Sequence, residues 1–463
     1  MTSLLIRGAE VSGSPGTDVL IRAGRIAAVG TYLPASGLPV LDAAGGALLP
    51  GLHDHHLHLH AAAADAASVR CGPPRVRTAA DLAHALATAP GDGWIRGVGY
   101  VETVAGLLDS TALDSLYARR PVRIQHRSGA LWILNSAAAR RVGLDTATAP
   151  GIERDTAGCA TGRLWRADSW LRSRLPDSGP PDLTDIAARL ARYGITGITD
   201  ATPDLADTSR TALIAAAESG TVPQRLNLLG VPLGAQCGAG VTTGAYKIVL
   251  ADSGFPEIDT LVSTIRAAHE IGRPVAVHCV SREALLILLA AFDETGSVPG
   301  DRIEHGAIVP GESVPVLRRL GITVVTQPGF IGARGDDYLH RVDPADLPDL
   351  YRCRSLLEAG VGSALSSDAP YGPLDPWRII ADAVTRRAPG GRVIGPAETL
   401  RAPDALGRFL APLHDPGGRA RAVTPGVPAD LVLLDRPIER MLEHPAAEAV
   451  RTTVIGGRVV FDR

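Results

Sequence analysis

Leu-Leu-Pro-Gly-Leu-His-Asp-His-His-Leu-His-Leu-His, residues 48 to 60, is the stretch whose reading decides the fold. An apolar run ends in Pro50-Gly51, and Asp54, His56 and His58 then follow at a period of two. In a β-strand that period sets all three side chains on one face. Two imidazoles on alternate positions can chelate one metal ion, and a nearby carboxylate can hold the second nitrogen of a ligating ring. His53 and His55 have the opposite parity and are expected to face away, with His60 past the strand end. A His-rich tract can also bind metal adventitiously, so the remaining ligand candidates have to decide between the two readings.

At 463 residues the chain has room for one large domain and a smaller one. Hydrophobic residues at 45% and charged residues at 21% place it among ordinary globular proteins rather than disordered or membrane chains. A formal net charge of −3 leaves no electrostatic footprint for nucleic acid or for an anionic membrane. No apolar run approaches the roughly 20 residues that span a bilayer, and the amino terminus lacks a signal-peptide layout. The five cysteines (Cys71, Cys159, Cys237, Cys279, Cys353) have no CxxC spacing, which reads as reduced thiols in a cytoplasmic protein.

Short strand-like runs, Leu4 to Val11 and Val19 to Val29, flank Gly13-Ser14-Pro15-Gly16. At the far end, 429–435 reads as a strand and 452–461 as a hairpin turning at Gly456-Gly457. Pairing of the two ends predicts a small β-domain, a β-sandwich made from residues 1–49 and 421–463. A continuous domain, residues 50–420, is then inserted between them.

Within that insertion short β-like runs alternate with helical patterns. Leu183, Ile186, Ala187, Leu190 and Ala191 follow helical spacing ahead of the run 194–200, and Ile258, Leu261, Val262 and Ile265 do so ahead of 274–278. Further strands fit 302–305, 323–327 and 363–368. Repeated βα units imply a parallel sheet with helices outside, and their number favours a closed (β/α)8, TIM-like barrel over an open sheet. The runs 122–125, 226–230 and 246–250 supply one strand candidate more than eight places hold. Residues 61–180 are less regular and are expected to form an elaboration over the mouth of the barrel.

In such a barrel the strand ends converge on one mouth, so ligands distant in sequence become neighbours. The strand-end candidates are His56, His58, Lys247, His278, His305 and Asp368. Singly, each has a plain structural explanation: a hydrogen-bonded core histidine, a turn-starting aspartate, or an ion pair from Lys247 to Asp252 or another carboxylate. Six together, in the order His, His, Lys, His, His, Asp, point to a metal site.

Several segments carry a family resemblance: 50–58, Arg154 to Gly162, Arg302-Ile303-Glu304-His305, Gln327-Pro328, 355–361 and Ser367-Asp368-Ala369-Pro370, with 425–431 and 456–459 near the end. Through them the chain resembles the amidohydrolase superfamily, in the branch that contains N-substituted formamide deformylase. The resemblance implies that His56 and His58 bind the more buried metal together with Asp368, and that His278 and His305 bind a second. Lys247, carbamylated by carbon dioxide, would bridge the two. Zinc suits this donor set, at one or two ions per chain, and manganese, iron or cobalt can occupy it. The metal pair would supply hydroxide at neutral pH and polarise a carbonyl, with Asp368 as general base and then general acid.

Two departures fall on the expected substrate side. The branch's His before Trp132 is replaced by Ala130, and Cys279-Val280-Ser281-Arg282 stands where Ala-Ile-Gly-Asp is usual. Formamide specificity is therefore not carried over, and His126, Trp132 and Arg282 are the candidates for lining the pocket. The expectation is a hydrolase cleaving a C–N bond of a small amide, lactam, carbamate or similar substrate, with homo-oligomerisation left open. A metal-dependent deaminase is the alternative enzyme, although it has less use for Lys247. A non-catalytic barrel scaffold is the alternative outside enzymes, and it predicts missing ligands.

Overall fold

The computed structural model describes residues 3–176, 179–238, 240–252 and 254–463. The chain divides into two compact units, Met1–Ala62 with Asp182–Arg463, and Ala63–Pro181.

The first unit is built around parallel strands that alternate with helices. We label them β1 (Leu52–Leu57), β2 (Ile195–Asp200), β3 (Arg225–Leu228), β4 (Tyr246–Val249), β5 (Val275–Cys279), β6 (Arg302–His305), β7 (Thr323–Thr326) and β8 (Ser363–Leu365). Strands β1, β2 and β3 form one parallel sheet with the short strand Val241–Thr243, and β4 to β8 form a second. Backbone hydrogen bonds join the sheets at both edges. Lys247 N donates to Leu229 O at 3.3 Å, and at the other edge Asp368 N donates to His56 O at 2.8 Å while His58 N donates to Ala369 O at 2.9 Å.

Register assigns the faces. Lys247 lies opposite Ala276, Ala276 opposite Arg302, and His278 opposite Glu304, so these polar side chains share the face away from the helices. The opposite face presents Val275, Val277, Ile303 and Val324. These pack with Leu261, Val262 and Ile265 of the helix Ile258–Glu270, and with Leu285 and Leu288 of Arg282–Thr295. Burying this surface, at about 25 cal/mol per Å² of apolar area, is what holds the helices to the sheet. Close packing also selects one glycine: a Cβ at Gly197 in β2 would sit 2.5 Å from His53 Cδ2.

The chain ends form two sheets. Residues Ser3–Val11, Ser14–Arg22, Arg25–Gly30 and Val40–Asp42 form one sheet, while Leu431–Leu434, Val450–Ile455 and Arg458–Asp462 form another with Leu48–Pro50. The two sheets share a core that includes Ile6, Ile21, Leu48, Leu431 and Val454.

The second unit carries a sheet of its own, in the order Ile152–Arg154, Ala160–Trp165, Leu131–Leu134, Val122–His126, Ile95–Tyr100 and Val69–Arg70. The surplus strand candidate at 122–125 belongs here. Its helix Ala79–Ala87 starts with a capping box between Thr78 and Asp81, which satisfies amides the first helical turn leaves open. Among the described residues, no helix is long and apolar enough to cross a membrane.

Candidate metal centre

β1 is buried along its whole length. His56 sits near its end, and His58 follows just beyond it. His56 Nε2 lies 3.4 Å and His58 Nε2 3.2 Å from Asp368 Oδ1, although Asp368 is more than 300 positions away, after β8. Donor atoms of these three residues all fall within 4.8 Å of one another. His305, at the end of β6, places Nδ1 3.8 Å from Asp368 Oδ2, and its ring centre stands 4.8 Å from that of His56 and 4.6 Å from that of His278. The structure therefore gathers His56, His58, Asp368, His305 and His278 at one end of the parallel strands.

Two of these residues hold unusual backbone. His305 has φ +73° and Asp368 φ +52°, a left-handed region that costs non-glycine residues on the order of 1–3 kcal/mol. His305 ends β6 and Asp368 lies just past the end of β8, where leaving the β conformation frees the side chain from strict alternation. That is how Glu304 and its chain neighbour His305 can both reach the same cluster.

The rings are held from behind. Glu304, fully buried, accepts from His56 Nδ1 and takes the Arg302 guanidinium at 2.6 Å on its other oxygen. His305 Nδ1 is bonded to Gln327 Oε1 at 2.9 Å, and Gln327 Nε2 donates to Ser366 Oγ at 2.9 Å. His58 Nδ1 meets Thr202 Oγ1 at 3.2 Å. Asp54, expected as the carboxylate beside a ligating ring, instead accepts the amides of His56 at 3.2 Å and Ser367 at 3.1 Å. It ties the strand end to the Asp368 turn, and Glu304 takes the ring.

Burial drives the electrostatics. It pushes His56 down to about 3 and His278 to about 4, with Lys247 adding to both, so both imidazoles are neutral donors. Burial also lowers Lys247, against the pull of Glu304 and Asp368. The same burial raises Glu304 and Asp368, but is outweighed: by Arg302 and then His56 for Glu304, and by contact with His58 and the charges of His305 and Lys247 for Asp368. Both carboxylates stay ionised.

A divalent ion fits this set. His56 Nε2, Asp368 Oδ1 and Lys247 Nζ are buried and make no hydrogen bond among the described residues, which is costly for polar atoms unless another partner is bound. The ion pair from Lys247 to Asp252 is not formed; Asp252 accepts instead from Ser281 Oγ at 2.6 Å.

Of the three pocket candidates, Arg282 belongs to the first unit and His126 and Trp132 to the second. Arg282, at the start of the helix after β5, is bonded to Asp346 and lies 3.6 Å from Asp349 and 3.7 Å from Glu312. His126 and Trp132 belong to the second unit. There His126 contacts Ser128 Oγ at 2.7 Å and Glu102 at 3.3 Å, and buried Trp132 donates to Asp168 at 2.7 Å beneath the guanidinium groups of Arg96 and Arg123. Glu304 and Gln327 are the functional residues that strand-end reasoning passes over. The signal for Glu304 was three polar residues in the four of β6, a strand in a buried sheet, since such groups have to satisfy one another.

Comparison with known proteins agrees with this geometry. The family model described as the amidohydrolase family matches residues 39–461. The chain is 26% identical to the N-substituted formamide deformylase of Arthrobacter pascens, over 99% of this chain and 97% of that one. It is 24% identical to the putative amidohydrolase YtcJ of Bacillus subtilis, over 90% of each. Among solved structures, an uncharacterised metal-dependent hydrolase from Pyrococcus horikoshii superimposes with a TM-score of 0.77 at 19% identity, covering 94% of this chain and 98% of that one. With the family model spanning nearly the whole sequence, the chain belongs to the amidohydrolase family and is a metal-dependent hydrolase acting on carbon–nitrogen bonds.

Proposed function

We propose that the protein hydrolyses the C–N bond of a small amide, lactam, carbamate or similar compound, with Asp368 as the proton-transfer group. The observation that carries this reading is the buried pair His56 Nε2 and Asp368 Oδ1, 3.4 Å apart with no hydrogen bonds of their own, and His58 Nε2 beside them. His56, His58 and Asp368 hold the first divalent ion, zinc by the softness of the donors. His278 and His305 hold a second. Lys247 would bridge them as a carbamate: burial lowers its amine and so favours the neutral form, which would add to carbon dioxide, R–NH2 + CO2 giving R–NH–COO⁻ and a proton.

When bound, the metal lowers the pKa of water and polarises the scissile carbonyl. The chain's own residues do the rest. Glu304 keeps the proton of His56 on Nδ1, which leaves Nε2 as the ligand atom. Asp368 turns Oδ1 to His56 and His58, and Oδ2 is left to take a proton from the attacking water and return it to the departing amine. For an amide the balance is RCONHR′ + H2O giving RCOO⁻ and R′NH3⁺. The finer fold goes with this reading. The two parallel sheets act as one closed (β/α)8 barrel, supported by the hydrogen bonds at both edges, and the end sheets form a β-sandwich, supported by their common core. Five free thiols suit a cytoplasmic enzyme.

Elemental analysis of purified protein tests the proposal, with roughly one to two divalent ions expected per chain. Protein that stays metal-free after reconstitution, or metal-loaded protein inert toward a broad amide, lactam and carbamate panel, would sink it.

A further inference from the structure

Beyond the metal ligands, Arg334 reaches the turn that carries Asp368. The helix Gly329–Arg341 begins two residues after Gln327, the residue that holds His305. Phe330, Arg334 and Tyr338 recur every fourth residue and therefore share one helix face. Arg334 lies over the Phe330 ring at 5.0 Å, and its Nη2 donates to Tyr371 O at 2.6 Å. That carbonyl belongs to the turn Asp368 closes, since Tyr371 N donates to Asp368 O at 2.9 Å. The Tyr371 ring stands edge-on to His58 at 5.7 Å. Tyr351 completes the wall, 5.8 Å from Phe330 and hydroxyl to hydroxyl with Tyr338 at 3.0 Å. The Tyr338 hydroxyl feels the charges of Arg334, Asp337 and Asp368, and the Tyr351 hydroxyl those of Arg334 and Asp368.

Arg334 forms no ion pair with any described carboxylate, and its hydrogen bond goes to a backbone carbonyl. A guanidinium carries five N–H donors in a planar fork shaped for a carboxylate, so most of its capacity is unused. Holding the Tyr371 turn needs a single neutral donor and does not account for a charge at this place.

We propose that Arg334 is the anion clamp of the substrate site, and that the compound cleaved beside His56, His58 and Asp368 carries a carboxylate next to an aromatic or other apolar group. This rests on the hydrolase reading above and names the substrate class within it. The apolar part lies against Phe330, Tyr338 and Tyr351, and the carboxylate takes the open side of the guanidinium.

Calorimetry on metal-free protein keeps the test independent of turnover and stops a carboxylate from binding a metal instead. Phenylacetate is expected to bind at least ~10-fold more tightly than phenylacetamide, the preference of a charge-assisted over a neutral contact. Arg334→Met should abolish that preference and Arg334→Lys keep part of it, with thermal unfolding midpoints confirming that both variants are folded. Equal binding of the two probes, or a preference that survives Arg334→Met, overturns the clamp. Metal-loaded protein that cleaves neutral amides as well as their carboxylate analogues would also overturn it and leave the hydrolase reading standing, whereas absence of any C–N hydrolysis would defeat the hydrolase reading and the substrate class with it, even where the binding preference through Arg334 is found.

Discussion

Glu304 and His56, 248 positions apart, meet in the interior: the carboxylate accepts from Nδ1 of the ring while Arg302 holds its other oxygen at 2.6 Å. Fixing that proton on Nδ1 aims Nε2 at Asp368. A carboxylate behind a metal-binding histidine typically accounts for 10- to 100-fold in metal affinity. Glu304→Gln keeps the shape and removes the charge, so we expect metal affinity to drop by about that factor. Competition titration against a chelating indicator measures it; unchanged affinity would mean that the pair is only structural.

Asp368→Asn should leave the fold in place and remove the proton acceptor. We expect kcat to fall by about 10²- to 10⁴-fold from the lost general base, and further if metal is lost as well. Turnover on an identified substrate, corrected for bound metal, reads the two effects separately. A variant working at the wild-type rate would move the base elsewhere.

Lys247→Ala separates the two metal positions. His56, His58 and Asp368 remain, so about one ion should be retained and the second lost. Elemental analysis of the variant beside the wild type gives the stoichiometry, and mass spectrometry or carbon-13 NMR under labelled carbon dioxide reads the carbamate. An unmodified amine in fully metallated, active protein would rule the carbamate out.

His55 is fully buried, and neither ring nitrogen has a hydrogen-bond partner among the described residues. Burial, followed by the charges of Arg302 and Arg421, pushes it down to about 3. Replacing an unsatisfied polar group by an apolar one of similar size removes a penalty of roughly 1–3 kcal/mol, so His55→Leu should raise the melting temperature. A lower melting temperature, with no change in fold, would show that the ring has a partner.

The pH dependence of metal-free protein follows from the same burial. His53, His55, His56, His278 and His305 are all lowered from 6.5, so below that pH the unfolded chain binds more protons than the folded one. Stability should then fall as the pH drops from 6.5 toward 4. Asp54 and Asp382, raised by burial to about 6, act the other way: their contribution is full below 3.8 and is lost as the pH rises through 6. His60 is lowered like the other histidines and Asp375 raised like the other two aspartates, so six groups outweigh three, and urea midpoints measured from pH 7.5 down to 4.5 should decline throughout. A flat or rising series would contradict the balance.

Periodicity along the chain was enough to mark the parts. The period of two through Asp54, His56 and His58 marked the strand β1, and the apolar spacing at Leu261, Val262 and Ile265 marked the helix face that is buried in the structure. Such patterns are local, because strand and helix each repeat over a few residues and must turn one side to the core. What lies across from a residue is not local. Asp54 has the right parity to support a ligating ring, yet Glu304 does so, since that depends on which strand end closes over β1. The run 122–125 reads as well for a barrel strand as for any other, and only its partners at 95–100 and 131–134 assign it to the second unit. The left-handed backbone of His305 and Asp368, and the meeting of Arg334 with the Asp368 turn, likewise arise only where distant segments are forced together, where packing energy offsets a conformation that neither residue type prefers alone.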